Sequence, residues 1–442
     1  MKWINNNKNM ILEMIIIFVV TLIINLIYIN ITQDEVWNFG FAYNIANGLI
    51  PYKDFNMVVT PLFPMLGALF LYVFGKNFFI YHIFNAIICT IIFYLMKKLT
   101  SKGYYIVYAI LIFLFSLPNY SLFCLLLLYL IMYLEDKNTN DYIIGVLLGL
   151  TFLTKQNVGV FLCFPTLFTK DIKKIIKRII GFFIPNIIFI IYLFCTDSFM
   201  LFIDYAFGGI GSFAKENNLI SEWVTLTLVA IIYLIYNYIK QKDIKILYIL
   251  CFQILAYPIF DTYHVIIPFL PVLGYFLSKL NLMLKVTRCA FIIFIIILFS
   301  QSLYNLYLGN YKFSNDTNVF KYRILDNNSV YYIKGISNYI KISDGNVFII
   351  HHNAYLYKLE SGMPINKYDL LNDGNMGNNG EFKIISEFEK KCNKEKCTFL
   401  ILEEEIGDYA FSQTNQEIIK YICDNYIKTE EIYGLTAYTN KS

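Results

Sequence analysis

"TPLFPMLGALFLYVFG", residues 60–75, is the stretch on which the topology of this chain turns. It is apolar enough for a membrane and short for one. From Pro61 onward it offers roughly 22 Å of helix at about 1.5 Å per residue, against a hydrocarbon core of about 30 Å. Pro61 and Pro64 stand in its first turn. If it spans, every later loop changes side. If it lies along the surface, none does.

The charge pattern decides between these. The chain has 442 residues, 57% hydrophobic and 15% charged, whereas a soluble domain carries about a quarter charged residues. It is therefore a polytopic membrane protein. The excess of Lys over Arg, with abundant Ile, Asn and Tyr, reads as the coding bias of an AT-rich bacterial genome. Lys2 and Lys8 precede an apolar stretch near 10–31 that lacks a small-x-small cleavage pattern, so it reads as a retained signal anchor. Further apolar segments lie near 78–96, 104–117, 120–134, 142–154, 157–169, 179–195, 223–239, 245–259, 265–279 and 287–303. With 60–75 on the outer surface, Lys97, Lys98, Lys102, Lys137, the Lys170–Arg178 run, Lys240, Lys242, Lys245, Lys279, Lys285 and Arg288 fall inside. Only Lys53, Lys76, Lys155 and Lys215 fall outside before residue 304. The positive-inside rule thus makes 60–75 an interfacial or re-entrant helix and leaves about eleven spanning helices. The N-terminus is then cytoplasmic. The loops at 32–77, 118–120, 155–157, 196–222 and 260–265 are external, as is the tail from about 304. The Lys170–Arg178 run reads as a cytoplasmic anchor near anionic lipid.

The chain accordingly divides into a helical membrane domain, 1–303, and an external domain, 304–442. The tail carries fifteen Lys/Arg against eighteen Asp/Glu. "NVFIIH" and "CTFLILE" read as strands, "FKIISEFEKKC" and "NQEIIKYICDNY" as helices, giving a small α/β domain. Cys392 and Cys397 in "CNKEKC" are placed for a disulfide, with no second ligand pair to make a zinc site. His351 and His352 read as surface residues and Cys423 as buried.

The external loops gather the polar chemistry. The first holds Asp34, Glu35 and Asp54 among aromatics that include Tyr52. "AYNIANGLIPY" reads as a short helix stopped by the Asn47-Gly48 turn. The plain reading of Asp34 and Glu35 is a stop to the first membrane helix. Against it, a helix C-terminus disfavours anions, so the pair would oppose both the dipole and itself. Lys155, in "LTKQN", is an ionisable group at membrane depth, or else a snorkelling lysine. Asp261, Tyr263 and His264 form a polar cluster in "DTYH", and His82 stands near the start of another apolar segment.

"DEVWNFGFAYNIANGLIPYKDFNMVVTPLFPMLGALFLYVFGKNFF" resembles the first outer loop of GT-C glycosyltransferases, in particular the group of protein O-mannosyltransferases and the lipid A aminoarabinose transferase. The likeness continues in "GVLLGLTFLTKQNVGVF" and "YPIFDTYHVIIPFLPVLGY". It implies the GT-C fold, with the proline-led helix on the outer surface. It further implies inverting transfer of a sugar from a polyprenyl phosphate to an acceptor hydroxyl of a glycan, lipid or protein, in cell-envelope glycan or protein glycosylation. Asp34 would then be the general base, within reach of the hydroxyl proton. Glu35 would orient the acceptor or bind a metal. Because phosphate is a weakly basic leaving group, the reaction needs no general acid, only cations or donors to meet its charge. Lys155, His264, Tyr263, His82, Tyr52 and Asp54 are the candidates for substrate contact. Asp261 is the candidate ligand of a divalent ion such as Mg or Mn. Two departures stand out: Thr60 replaces the lysine that the aminoarabinose-transferase group has before the proline, and Asn119 replaces an acid in the second outer loop. A transporter or flippase of lipid-linked glycans is the alternative, but it would place ionisable residues or broken helices at mid-membrane in paired halves. Nothing in the composition points to nucleic acid, and the oligomeric state is not legible.

Overall fold

The computed structural model describes residues 8–440 apart from 28–31, 101–102, 116, 210, 212–221, 281, 310, 315–316, 352–353, 370, 372–374, 379 and 403–415. Lys2, Lys102, Lys215 and His352 lie outside the described residues.

Every apolar segment expected to span is helical: α1 (Lys8–Ile27), α4 (Phe78–Leu99), α5 (Tyr104–Phe115), α6 (Tyr120–Asp136), α7 (Asp141–Phe152), α8 (Gln156–Leu167), α9 (Ile172–Cys195), α11 (Trp223–Gln241), α12 (Ile244–Phe252), α13 (Thr262–Lys279) and α14 (Leu284–Tyr307). Two shorter helices, α2 (Gln33–Ala46) and α3 (Leu62–Phe74), lie between α1 and α4, and α10 (Phe199–Ile203) follows α9. Among the described residues, five helices are long and apolar enough by themselves to cross a membrane: α1, α4, α9, α11 and the stretch of α14 from Leu284 to Tyr304. The others are shorter apolar helices packed among them.

Helix α3 is 13 residues long. It buries Phe63, Pro64, Gly67, Ala68 and Leu71 against the protein and exposes Leu69, Tyr72, Val73 and Phe74. An apolar outer face on a helix too short to span suits the membrane interface. Its start is stitched to the turn between α7 and α8, where the Leu62 N–H donates to the Leu153 carbonyl at 2.9 Å and the Thr60 hydroxyl donates to the Phe152 carbonyl at 2.8 Å.

The acidic pair does not end the first helix. Asp34 and Glu35 open α2, whose N-cap Thr32 accepts from the Glu35 N–H at 3.3 Å. Anions in a first turn agree with the helix dipole. The supposed conflict came from reading the pair as the C-terminal stop of the first helix, when it lies in the first turn of a second. The α2 stop came as expected, at Asn47 and a left-handed Gly48.

Helices α7 and α9 pack at backbone distance. A Cβ on Gly145 would overlap the Arg178 carbonyl, one on Gly149 the Phe182 carbonyl, and one on Gly181 the Tyr142 carbonyl. This is the small-xxx-small contact by which membrane helices associate without a hydrophobic drive. Arg178, read from sequence as part of a lipid anchor, is instead buried beneath this seam. It bonds Asp141 at 2.8 Å and Glu135 at 2.7 Å, with Tyr248 at 3.2 Å. Lys173, Lys174 and Lys177 remain exposed. Gly145→Leu should pry α7 from α9 and cost about 1–3 kcal/mol or more by overpacking. Thermal unfolding in detergent should show the loss, while Leu at Gly211, where a Cβ meets nothing within 4 Å and the backbone is not left-handed, should not.

The C-terminal segment holds a two-stranded sheet, β1 (Tyr311–Phe313) with β2 (Ile324–Asp326), then α15 (Asn327–Ile342), β3 (Asn346–Ile350), α16 (Ala354–Ser361), α17 (Gly380–Cys392), β4 (Cys397–Leu402), α18 (Gln416–Asn425), β5 (Ile427–Ile432) and β6 (Leu435–Thr439). The order of the larger sheet is β3-β4-β6-β5, with β3 and β4 parallel and the other pairs antiparallel. Cys392 and Cys397 are joined by a disulfide, and Cys423 is half-buried. One hydrophobic core runs from the helical bundle into Val319, Phe320, Ile336, Tyr355 and Ile365, so the two parts share an interior. Asn44 clamps the main chain of Ile365, donating to its carbonyl at 2.7 Å and accepting its N–H at 3.3 Å.

Candidate active site

Three loops meet at one end of the bundle. The start of α2 supplies Asp34, the turn between α7 and α8 supplies Lys155, and the start of α13 supplies Asp261, Tyr263 and His264. Each is placed by a local rule. Asp34 follows the Thr32 cap, and its carbonyl accepts from the Asn38 amide at 2.7 Å. Lys155 is the N-cap residue of α8, in a turn braced by Gln156, whose amide donates to Val58 at 3.1 Å and to Ala206 at 2.9 Å. Asp261 caps α13 by accepting the His264 N–H at 2.7 Å.

The groups act on one another. Burial pushes the Asp34 carboxyl above its ordinary range. The His264 and Lys155 charges pull it back and Asp261 pushes it up again. Burial lowers the Lys155 ammonium to about 8, against the opposing pull of Cys124, Asp34 and Asp261. The Lys155 ammonium stands over the Tyr120 ring, 5.3 Å from its centroid, a cation–π contact. For Asp261 burial acts upward, but the bonds from His264 and the N–H groups of His264 and Tyr263 prevail and hold its carboxyl below the usual range. Its Oδ1 lies 2.9 Å from His264 Nδ1, which fixes the ring. The Tyr263 and His264 rings meet edge to face at 5.4 Å. The result is a base-like carboxylate, a readily deprotonated ammonium and an oriented imidazole around one spot.

Glu35 and His82 form a second, wholly buried group beside the first. Glu35 Oε1 lies 3.1 Å from His82 Nε2 and accepts from the Arg323 guanidinium. Burial alone would raise this carboxyl, and the Arg323 charge with the His82 bond brings it below its usual range. Arg323, on the C-terminal segment, was not singled out by sequence. It is the first arginine on the external side in the topology above, and nothing local marks its partner 288 residues away.

Tyr52 and Asp54 lie apart from both groups and build the loop. Tyr52 holds a left-handed backbone at φ 69° and donates its hydroxyl to Val59 at 2.8 Å, and its ring meets Phe202 at 5.1 Å. Asp54 accepts the Ile50 N–H at 2.7 Å, closing the turn. Lys53 beside them donates to the Thr196 carbonyl at 3.0 Å. Asn119 caps α6, accepting the Leu122 N–H at 3.0 Å. His351 lies at the end of β3, its ring 6.2 Å from Tyr357.

The donor set does not by itself make an all-protein cage for a divalent ion. Among the described residues no three His, Cys, Asp or Glu side chains come together as ligands. Asp261 spends one oxygen on His264, and Lys155 already brings positive charge to the same place.

No protein-family model matches the sequence, and no curated protein matches it. Solved structures do. The crystal structure of ArnT from Cupriavidus metallidurans bound to undecaprenyl phosphate superposes with a TM-score of 0.59 at 9% identity, covering 99% of this chain and 98% of that one. ArnT from the same organism in the apo state gives a TM-score of 0.57 at 9% identity, with the same coverage. The fold, a GT-C membrane domain followed by a small α/β unit, is therefore shared over the whole length of both chains.

Proposed function

We propose that this multi-pass membrane protein of GT-C fold is a glycosyltransferase. It moves a sugar from a polyprenyl phosphate to an acceptor hydroxyl on the outer face of the membrane, with inversion. The observation that carries the proposal is the meeting of Asp34, Lys155 and His264 from three separate loops at the end of the bundle where the start of α3 is bonded to the turn before Lys155. Support comes from the whole-length likeness to ArnT, whose structure holds undecaprenyl phosphate.

Asp34 takes the proton of the acceptor hydroxyl as its oxygen attacks the anomeric carbon. The bond from that carbon to the phosphate oxygen breaks from the opposite side, and the electron pair leaves with the lipid phosphate. The growing charge on the phosphate is met by the Lys155 ammonium and by His264, whose ring is oriented by Asp261. The glycoside leaves with inverted configuration and Asp34 carries the proton. Lys155 replaces in charge what Thr60 lacks: Thr60 is bonded to Phe152, three residues before Lys155 on the same turn.

A transfer assay on purified protein, with undecaprenyl-phosphate sugars as donors, tests this through its pH profile. Asp34 must be ionised, and its affinity for the proton is raised, so activity should rise with pH through a limb above the ordinary carboxylate range. Lys155 must be charged, so activity should fall again near pH 8. A preparation that binds the lipid but transfers no sugar at any pH would overturn the proposal.

A further inference from the structure

Glu35 sits beside the proposed base but is wholly buried. Adjacent residues on a helix point about 100° apart round its axis. Asp34 therefore faces the Lys155–His264 cluster while Glu35 faces inward, toward His82 on α4 and Arg323. The grip on Glu35 is firmly mounted. Arg323 is itself wholly buried, and its carbonyl accepts from the Ser314 N–H at 2.8 Å and from the Ser314 hydroxyl at 2.9 Å. Its guanidinium carbon stands 5.9 Å from the centroid of the Phe78 ring. That ring stacks on Phe39 of α2 at 4.1 Å and on Phe320 at 4.8 Å. The Phe78 N–H donates to the Val319 carbonyl at 3.0 Å. The N–H groups of Asn318 and Val319 donate in turn to the Glu360 carboxylate, at 2.7 and 2.9 Å. The C-terminal segment is thus bolted to the first turn of α2 through one charge pair.

We propose that Arg323 is a positioning residue for the transfer reaction: by holding Glu35 it fixes the rotation of α2 and so aims Asp34 at Lys155 and His264. The inference rests on the reading of Asp34 as general base. A buried pair removed as a whole is far less disruptive than one partner removed alone, so the informative variant is Glu35→Gln with Arg323→Gln. Around Asp34 the groups that set its proton affinity are Lys155, His264 and Asp261, with the Tyr120 and Tyr263 hydroxyls nearby. Turning Asp34 away from Lys155 and His264 removes the charges that hold its affinity down, so its titration moves upward.

The test measures three quantities on the full chain in detergent: melting temperature, kcat and KM for transfer, and the pH dependence of Asp34 labelling by dicyclohexylcarbodiimide, read by mass spectrometry. This reagent modifies protonated carboxyls and needs no substrate. The double variant should melt close to the wild type. Its kcat should fall at least about tenfold, with KM for the donor within about twofold, because a small misplacement of a reacting group is costly. The labelling midpoint should rise by about half a pH unit or more. Arg323→Lys keeps the charge but loses the planar fork, and should show a loss of about three- to tenfold and a smaller shift in the same direction. A double variant with wild-type kcat and labelling midpoint overturns the inference. If the double variant does not fold, Arg323→Lys with unchanged kcat and midpoint overturns it. A wild type that labels as expected but transfers nothing refutes the enzymatic reading instead, and the labelling shift still decides the role of Arg323.

Discussion

Asp34→Asn should reduce kcat for sugar transfer by about 10²–10⁴-fold, the range for losing a positioned general base. The amide keeps the size and most of the hydrogen bonding of the carboxylate, so KM for the lipid donor and the melting temperature should stay near those of the wild type. The acid limb of the pH profile should vanish with the group that creates it. The measurement is steady-state transfer on purified protein. A variant that retains more than about a tenth of wild-type kcat would show that the acceptor proton goes elsewhere.

Lys155→Met should cost about 10²–10³-fold in kcat, the loss expected when one donor to a developing charge is removed from a site shielded from water. Here KM for the donor should also rise, since a lipid phosphate is charged before the reaction as well as during it. Lys155→Arg separates charge from titration. A guanidinium stays protonated across the accessible range, whereas the ammonium, lowered by burial to about 8, does not. The arginine variant should keep measurable transfer and lose the alkaline limb. An alkaline limb that stays near 8 in Lys155→Arg would assign it to another group.

Much of the architecture was legible because membrane helices are written in long apolar runs and loops in charge. The count of lysines predicted that residues 60–75 would not span, and they form the 13-residue helix α3. The loops that carry the candidate site were legible too, since Asp34, Lys155 and His264 stand at the ends of apolar runs that sequence can mark. What sequence could not carry was pairing across distance. Arg323 has no local pattern, and its role depends on Glu35 and on the burial of both. Arg178 looked like one more basic residue until its acidic partners came from two other helices. Tyr52 and Asp54 looked like site residues because a motif carries them, yet their bonds are local and hold the turn. Strand β5 was missed because "IKTEEI" is exposed along most of its length and lacks apolar alternation.

The charged network around Arg178 reaches Asp141 at the start of α7, and Lys155 follows the end of that same helix. Fourteen residues of mostly helical rise separate the two, about 21 Å. A relaxed hydrocarbon core is about 30 Å deep. Helices α7 and α8 are both short of that depth, whereas α4 and α14 are long enough to cross it. Such mismatch costs a fraction of a kcal/mol per Å. A headgroup plane drawn toward Lys155 would let the phosphate of the proposed donor meet that lysine without leaving its own leaflet. On the proposed function, short-chain lipids should then favour transfer over long-chain ones, measured in vesicles of graded acyl length.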